Sequence, residues 1–316
     1  MKDMNTMRAI SQDVLGGPEV LKEVTMERPT PRPNEVLVRV RAAGVNPTDW
    51  KHRATGGFIG DPPFVLGWDV SGEVAEIGIG VAAFRPGDEV FGMLPYPFGH
   101  GSHAEYVIAP VRALTHKPAS IDHVQAGALP LVSLTAWQAL TEHAGLRSGQ
   151  RVLIHAAAGG VGHVAVQIAK ALGAYVIGTA SAGKHDFLRE IGVDEPVDYR
   201  STDFTEAVRD VDVVLDTLGG ETSVRSLKVL RPGGIVVSIV PFGGQDFFDE
   251  AERLGVRGVR MLVDSDRYGM QEISRMAQAG QLKATIAETF PLAQAARAHE
   301  VGETGRTTGK LVLVVD

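Results

Sequence analysis

Residues 35–45, EVLVRVRAAGV, alternate apolar and polar side chains in their middle, VRVR at 38–41. Period two is the mark of a strand with one buried face. Similar short runs follow in DVSGEVAEIG (69–78), GDEVFGM (87–93) and AEYVIAP (104–110), with Gly and Pro between them in FRPGDE and LPYPFGHG. Such spacing predicts a β-rich first domain, a small barrel or sandwich. Gly78 and Gly80 read as turn residues rather than as a ligand loop.

The pattern changes near residue 120. Ser120 and Asp122 are suitable N-caps for HVQAGALPLVSLTAWQALTEHA, whose apolar spacing is helical until Pro130 interrupts it. A short apolar strand, RVLIHAA (151–157), precedes a helix over 163–174, and AYVIGTAS (174–181) is the next strand. A helix over 184–192, a strand at 212–220, a helix over 222–234 and a strand over 235–242 continue the alternation. Strands and helices in turn predict an α/β domain with a doubly wound parallel sheet. The tail returns to two helices, 268–282 and 292–304, and to a final strand, GKLVLVVD (309–316), suited to the first domain's sheet.

Composition narrows the chemistry. The 316 residues suffice for two domains. The net charge of -7 comes without any Lys/Arg-rich block, so neither nucleic acid nor a membrane surface is an expected partner. The N-terminal MKDMNTMRAI lacks the apolar core of a signal peptide, which places the chain in the cytoplasm. The absence of cysteine removes disulfides, thiolate catalysis and every zinc site built on Cys. His100 and His103, in FGHGSHAEY, read as residues of a solvated loop. No metal site is expected.

Within the strand–turn–helix frame of 151–174, the turn Ala157, Ala158, Gly159, Gly160, Val161, Gly162 matches the dinucleotide fingerprint at its second and third glycines, with Ala157 in place of the first. Such glycines allow a tight turn, close approach of a pyrophosphate and close helix–strand packing. The helix that follows aims its free N–H groups at the phosphates. A tight turn without a ligand is the alternative. An NAD site wants an acid after the second strand, whereas GTASAGK offers Ser181 and Lys184. A hydroxyl and an ammonium suit a 2′-phosphate, and Tyr199 and Arg200 are placed to close over it. The predicted cofactor is NADPH.

The chain resembles the zinc-independent quinone oxidoreductase branch of the medium-chain dehydrogenase/reductase superfamily. The resemblance rests on GVNPTDWKHR (44–53), PFVLGWDVSGEVAEIG (63–78), FRPGDEVFG (84–92), LPLVSLTAWQAL (129–140), AAAGGVGHVAVQIAKALGA (156–174), DVVLDTLGGET (212–222) and GKLVLVVD (309–316). It implies a GroES-like catalytic domain over 1–122 and 268–316, a Rossmann NADPH-binding domain over 123–267, and a homodimer. Zinc-dependent relatives carry Cys and Gly-His-Glu where this chain reads GVNPTDW and Gly67-Trp68-Asp69. The resemblance therefore implies metal-free hydride transfer to a quinone or an α,β-unsaturated carbonyl. It assigns Asn46 to the nicotinamide and substrate, Thr135 to the nicotinamide carboxamide, and the backbone of Pro241 and Phe242 to the nicotinamide ring. Lys51 becomes the candidate for holding a developing enolate and supplying a proton. Asp49 orients its loop, by capping or by pairing with Lys51 or Arg53. Trp50, Phe58, Tyr96 and Phe98 offer an apolar wall for a flat substrate. A non-catalytic NADPH-binding protein, crystallin-like or RNA-binding, is the rival reading.

Overall fold

The run at 35–45 forms the strand Glu35–Val45, the centre of a seven-stranded sheet in a computed structural model that describes residues 5–240 and 244–316. Asp69–Ile77 pairs antiparallel along most of its length, Tyr106–Pro110 pairs with its first half, and Lys310–Val314 pairs with its last four residues. Glu89–Met93 and Leu114–His116 extend the sheet on one side, and Ile286–Pro291 lies parallel to Lys310–Val314 on the other. Val36, Leu37 and Val38 are all buried, so both faces of the central strand are covered, beyond the single face that alternation predicts. A separate three-stranded sheet, Thr6–Gln12 with Lys22–Glu27 and Phe64–Val65, has mixed polarity and no strong sequence signal.

The chain divides into two compact units, residues up to Leu131 with Asp264–Asp316, and Val132–Val263. The boundaries expected at 122/123 and 267/268 differ from these by nine and four residues. The helix His123–Ala128 packs on Glu35–Val45 and Asp69–Ile77 and so belongs to the first unit. Its N-cap is Asp122, whose carboxylate accepts from the Gln125 N–H at 2.8 Å.

GVNPTDWKHR, read above as a loop, is a helix over Pro47–Thr55. Asn46 stands before it in extended conformation, Pro47 takes the first position, and the Asp49 carboxylate accepts from the Asn46 N–H at 2.6 Å. These are strong helix-start signals. The residues it buries are Asp49, His52 and Arg53, a polar stripe at helical spacing.

The second unit holds six parallel strands in the order Glu195–Asp198, Tyr175–Ala180, Arg151–Ile154, Val211–Asp216, Leu230–Ser238, Arg257–Arg260. In chain order this is 3-2-1-4-5-6, the Rossmann arrangement. Its core includes Leu153, Ile177, Val214, Val236 and Phe247. Two details differ from the expected pattern. The helix placed at 163–174 begins at Gly160 and ends at Ala171, so two of the turn's glycines lie in its first turn. The helix placed at 222–234 ends at Ser226, and RPGG belongs to the next strand, looping out between Leu230 and Ile235.

Ala157, where the fingerprint has its first glycine, is accommodated from the neighbouring strand. A Cβ built on Gly178 would lie 2.9 Å from the Ala157 methyl and 3.1 Å from Val193. The missing glycine has in effect moved across to Tyr175–Ala180. Gly178→Ala is expected to destabilise the fold by about 1–3 kcal/mol through overpacking. Ala157→Gly in the same chain is expected to recover part of that loss, measured by urea denaturation of both variants.

Candidate active site

The strand order reverses between Arg151–Ile154 and Val211–Asp216, and ligands of such sheets bind at the carboxyl ends flanking that point. The turn after Arg151–Ile154 is held from below by side chains. Ser226 Oγ donates to the Thr222 carbonyl at 2.7 Å, so His155 Nε2, 3.0 Å away, is the donor to Ser226. His155 Nδ1 then accepts from Thr179 Oγ1 (3.3 Å), which in turn accepts from the Ala156 N–H (3.1 Å). Burial pushes the His155 pKa down to about 4, which keeps the imidazole neutral and this direction of bonds fixed. On the facing strand end, the buried Asp216 carboxylate accepts from the Leu218 and Gly219 N–H groups and from Ser223 and Ser238.

Gly159 is the extended N-cap of Gly160–Ala171, and no side chain caps the N–H groups of the first turn. Gly162 is pressed against the turn: a Cβ there would lie 2.3 Å from the Ala156 carbonyl oxygen. Ala157 and Ala158 are buried, while Gly159, Gly160 and Val161 are partly open. An uncapped helix start behind a side-chain-poor turn fits a pyrophosphate.

Ser181 follows the end of Tyr175–Ala180, and Lys184 lies one turn further on. Partial burial lowers the Lys184 pKa, against which the neighbouring Tyr199 acts. The Arg200 guanidinium sits 5.7 Å from the Tyr199 ring centroid, and both residues are exposed. The four residues expected at a 2′-phosphate therefore gather at adjacent strand ends. Asp198, which was not foreseen, ends Glu195–Asp198 beside them. Its carboxylate is engaged by the Arg200 N–H (3.1 Å) and the Ser201 hydroxyl (2.9 Å). Thr135 is buried in the helix Pro130–Trp137. Pro241 and Phe242 lie outside the described residues.

In the first unit, the residues expected around the substrate have separated. Asn46 is buried: its Oδ1 accepts from Lys310 Nζ at 2.5 Å and its Nδ2 donates to Asp69 at 2.8 Å. These bonds anchor Asn46 at the start of the helix. Asp49 is also buried and caps Asn46; Arg53, one of its expected partners, instead pairs with Glu303 at 2.7 Å and bonds His299. Lys51 is exposed on the Pro47–Thr55 helix. Trp50 packs against His299 and Gly302, away from the aromatic group formed by Phe58, Tyr96, Trp68 and His52. His103, expected in a solvated loop, is buried, and burial pushes its pKa down to about 4.

Sequence reasoning missed Lys310, Thr48 and His52. Lys310 Nζ also bonds the Val45 carbonyl at 3.0 Å and lies 3.5 Å from Asp69. Its one signal is a lysine opening an otherwise apolar strand. Burial lowers the Lys310 pKa and raises that of Asp69, and each charge opposes the other's shift.

Residues 32–119 match the alcohol dehydrogenase GroES-like domain, and residues 191–313 match a family described as zinc-binding dehydrogenase. The chain's donors do not fit the metal in that second description. It has no cysteine, and among the described residues no group of three or more His, Asp or Glu is arranged to hold an ion. A 2-haloacrylate reductase of a Burkholderia species is 36% identical over 95% of this chain and 96% of its own. The quinone oxidoreductase of Coxiella burnetii superposes with a TM-score of 0.93 at 36% identity, covering 98% of this chain and 100% of its own. That of Escherichia coli, solved with NADPH, gives 0.89 at 30% identity, over 97% and 99%.

Asp49 carries a measurable consequence. Burial raises its pKa to about 7; the Asn46 N–H and Lys310 oppose the shift, and Asp69 adds to it. Between the ordinary carboxylate value near 4 and about 7, the unfolded chain is ionised while the native Asp49 keeps its proton. Its contribution to stability therefore falls as pH rises through that window and levels off above it. Asp49→Asn keeps an acceptor for Asn46 and removes the titration. The stability of the variant relative to the parent is expected to grow by about 2–4 kcal/mol from pH 4 to pH 8, read from urea denaturation across that range.

Proposed function

Because the chain belongs to the zinc-independent quinone oxidoreductase branch of the medium-chain dehydrogenase/reductase superfamily, we propose that it is an NADPH-dependent reductase of quinones and α,β-unsaturated carbonyls. The observation that carries the cofactor reading is the Ser181, Lys184, Tyr199 and Arg200 group at the strand ends beside the Gly159–Gly162 turn. An ammonium and a hydroxyl attract a 2′-phosphate that a carboxylate in their place would repel.

When bound, NADPH supplies a hydride. The chain's own residues bind and orient it. The N–H groups at the start of Gly160–Ala171 take the pyrophosphate, Ser181 and Lys184 take the 2′-phosphate, and Tyr199 with Arg200 covers the adenine end. Thr135 is the candidate for the carboxamide. The substrates of the relatives, a quinone and a haloacrylate, are both conjugated acceptors, and the exposed Phe58 ring beside Tyr96 suits a flat molecule. The same reading includes a homodimer in the cytoplasm, checked by sedimentation and by cell fractionation.

Anaerobic stopped-flow oxidation of NADPH against menadione and cyclohexenone tests the activity. Turnover of at least one is expected, and turnover of neither overturns the reading. Lys184→Ala is expected to weaken NADPH by about 10–100-fold, the worth of one charge-assisted hydrogen bond. NADH affinity is expected to change less than about twofold, because NADH lacks the phosphate that Lys184 would meet. Equal losses for both would remove Lys184 from the phosphate site.

A further inference from the structure

Three side chains of the first unit form a chain of hydrogen bonds ending beside an exposed aromatic ring. His52 Nδ1 lies 2.8 Å from the Thr48 carbonyl and 3.1 Å from Thr48 Oγ1. A carbonyl only accepts, so Nδ1 carries the hydrogen and shares it between both oxygens. Thr48 Oγ1 thus receives a bond from His52, and its own hydrogen is free for Tyr96 Oη at 3.0 Å. In the arrangement where Thr48 donates, the Tyr96 oxygen accepts and its own hydrogen is left for a third party. Among the described residues His52 Nε2 is buried with no hydrogen-bond partner, so the imidazole's hydrogen bonds there are all to Thr48. Burial lowers the His52 pKa, which holds the ring neutral and its hydrogen toward Thr48 at neutral pH.

The surroundings suit a flat conjugated carbonyl. The Tyr96 ring packs on Trp68 at 5.3 Å, His52 at 6.0 Å and Phe58 at 6.3 Å between centroids. Phe58, in edge contact with the Tyr96 ring, is 59% exposed. Burial also raises the Tyr96 pKa, with the Thr48 bond opposing, so the phenol stays protonated as a donor.

We propose that the Tyr96 hydroxyl is the proton donor to the substrate carbonyl oxygen, oriented by Thr48 and His52; this rests on the reductase reading above. As hydride, with its two electrons, reaches the conjugated carbon, the carbon–carbon π pair shifts and charge collects on the carbonyl oxygen. The Tyr96 O–H bond then breaks, its hydrogen passes to that oxygen, and the product is an enol; with a quinone, this keto-enol loses to water a proton from the carbon that took the hydride and gains one from water on its second oxygen, giving the hydroquinone. The phenolate left on Tyr96 accepts a bond from Thr48 and is reprotonated from water. Successive hydrogen bonds polarise one another, so Thr48 and His52 make Tyr96 a better donor. Tyr96 is the catalytic residue here; Thr48 and His52 are positioning residues.

Tyr96→Phe keeps the ring and removes only the hydroxyl. With cyclohexenone its kcat is expected to fall about 100–1000-fold, the range of a lost general acid or oxyanion donor, while the Kd for NADPH stays within about twofold. A second readout needs no cofactor: the carbonyl stretch of bound menadione, by difference infrared, should be downshifted in the parent and return to its free value in Tyr96→Phe. Thr48→Val, which retains the phenol, should give a smaller fall of about 5–10-fold and part of the frequency change. It also decides the matter if Tyr96→Phe does not fold. Unchanged kcat and unchanged frequency in the folded variants overturn the Tyr96 assignment and leave the reductase reading standing. A parent enzyme that binds NADPH but reduces neither menadione nor cyclohexenone overturns both.

Discussion

The first unit depends on one buried cation. Lys310 Nζ lies among the Val45 carbonyl, Asn46 Oδ1 and Asp69, and stripping an ammonium and a carboxylate of water costs several kcal/mol each. The arrangement is tolerated because the donors of Lys310 meet carbonyl and carboxylate oxygens, and because Asp69 keeps its second oxygen on the Leu131 N–H at 2.6 Å. Its geometric effect is larger than its net energy. Val45 is the last residue of the central strand, and Asn46 is the cap of the next helix. The cation therefore fixes the point at which extended chain becomes helix, and with it the position of Thr48, Lys51 and His52.

The second unit solves a similar problem with neutral groups. There the strand Arg151–Ile154 must turn into the helix Gly160–Ala171 across residues with almost no side chain. A turn so poor in side chains cannot position itself, so the restraint comes from elsewhere: His155 tied to Ser226 and Thr179, and Thr179 tied to the Ala156 N–H. In both units a strand-to-helix turn is set by polar atoms supplied from distant parts of the chain. The difference in charge follows from the task. A cation buried beneath the fingerprint turn would add attraction for phosphate at the wrong depth, whereas the neutral imidazole leaves the helix N-terminus as the local source of positive potential.

What could be read in the sequence follows the same division. The main strands of both units and the parallel α/β character of the second were legible, because they rest on apolar periodicity and on Gly/Pro punctuation; the Rossmann domain was implied by the family resemblance, and the return of the last strand to the first sheet could be anticipated from its composition. The Pro47–Thr55 helix was not, because its buried stripe is Asp49, His52 and Arg53. Hydropathy reads such a stripe as solvent-facing. Likewise Asn46 and Asp69 stood in segments that carried the family resemblance, but their partner Lys310 lies more than 200 residues away, and no local rule connects them. Phe58 and Tyr96 could be named as aromatic neighbours of a site, while Trp50 could not be told apart from them. Only packing shows that Trp50 faces His299 and Gly302. The glycine turn was recognisable, but the reason for Ala157 required Gly178 on the next strand.

These restraints bear on how a chain without a fitting metal site can stabilise charge on a substrate oxygen. An exposed ammonium such as Lys51 is hydrated and mobile, so aligning it during reaction requires both its water and its side-chain freedom to be surrendered. A hydroxyl held by a second hydroxyl, itself held by a buried imidazole, has surrendered much of its side-chain freedom on folding. The Thr48 carbonyl can only accept, which holds the His52 hydrogen toward Thr48, and the helix carrying Thr48 and His52 is set by Asn46 and Lys310. The energy that orders the donor is thus drawn from burial of a polar stripe and a cation during folding, and little reorganisation is left for the moment when charge develops.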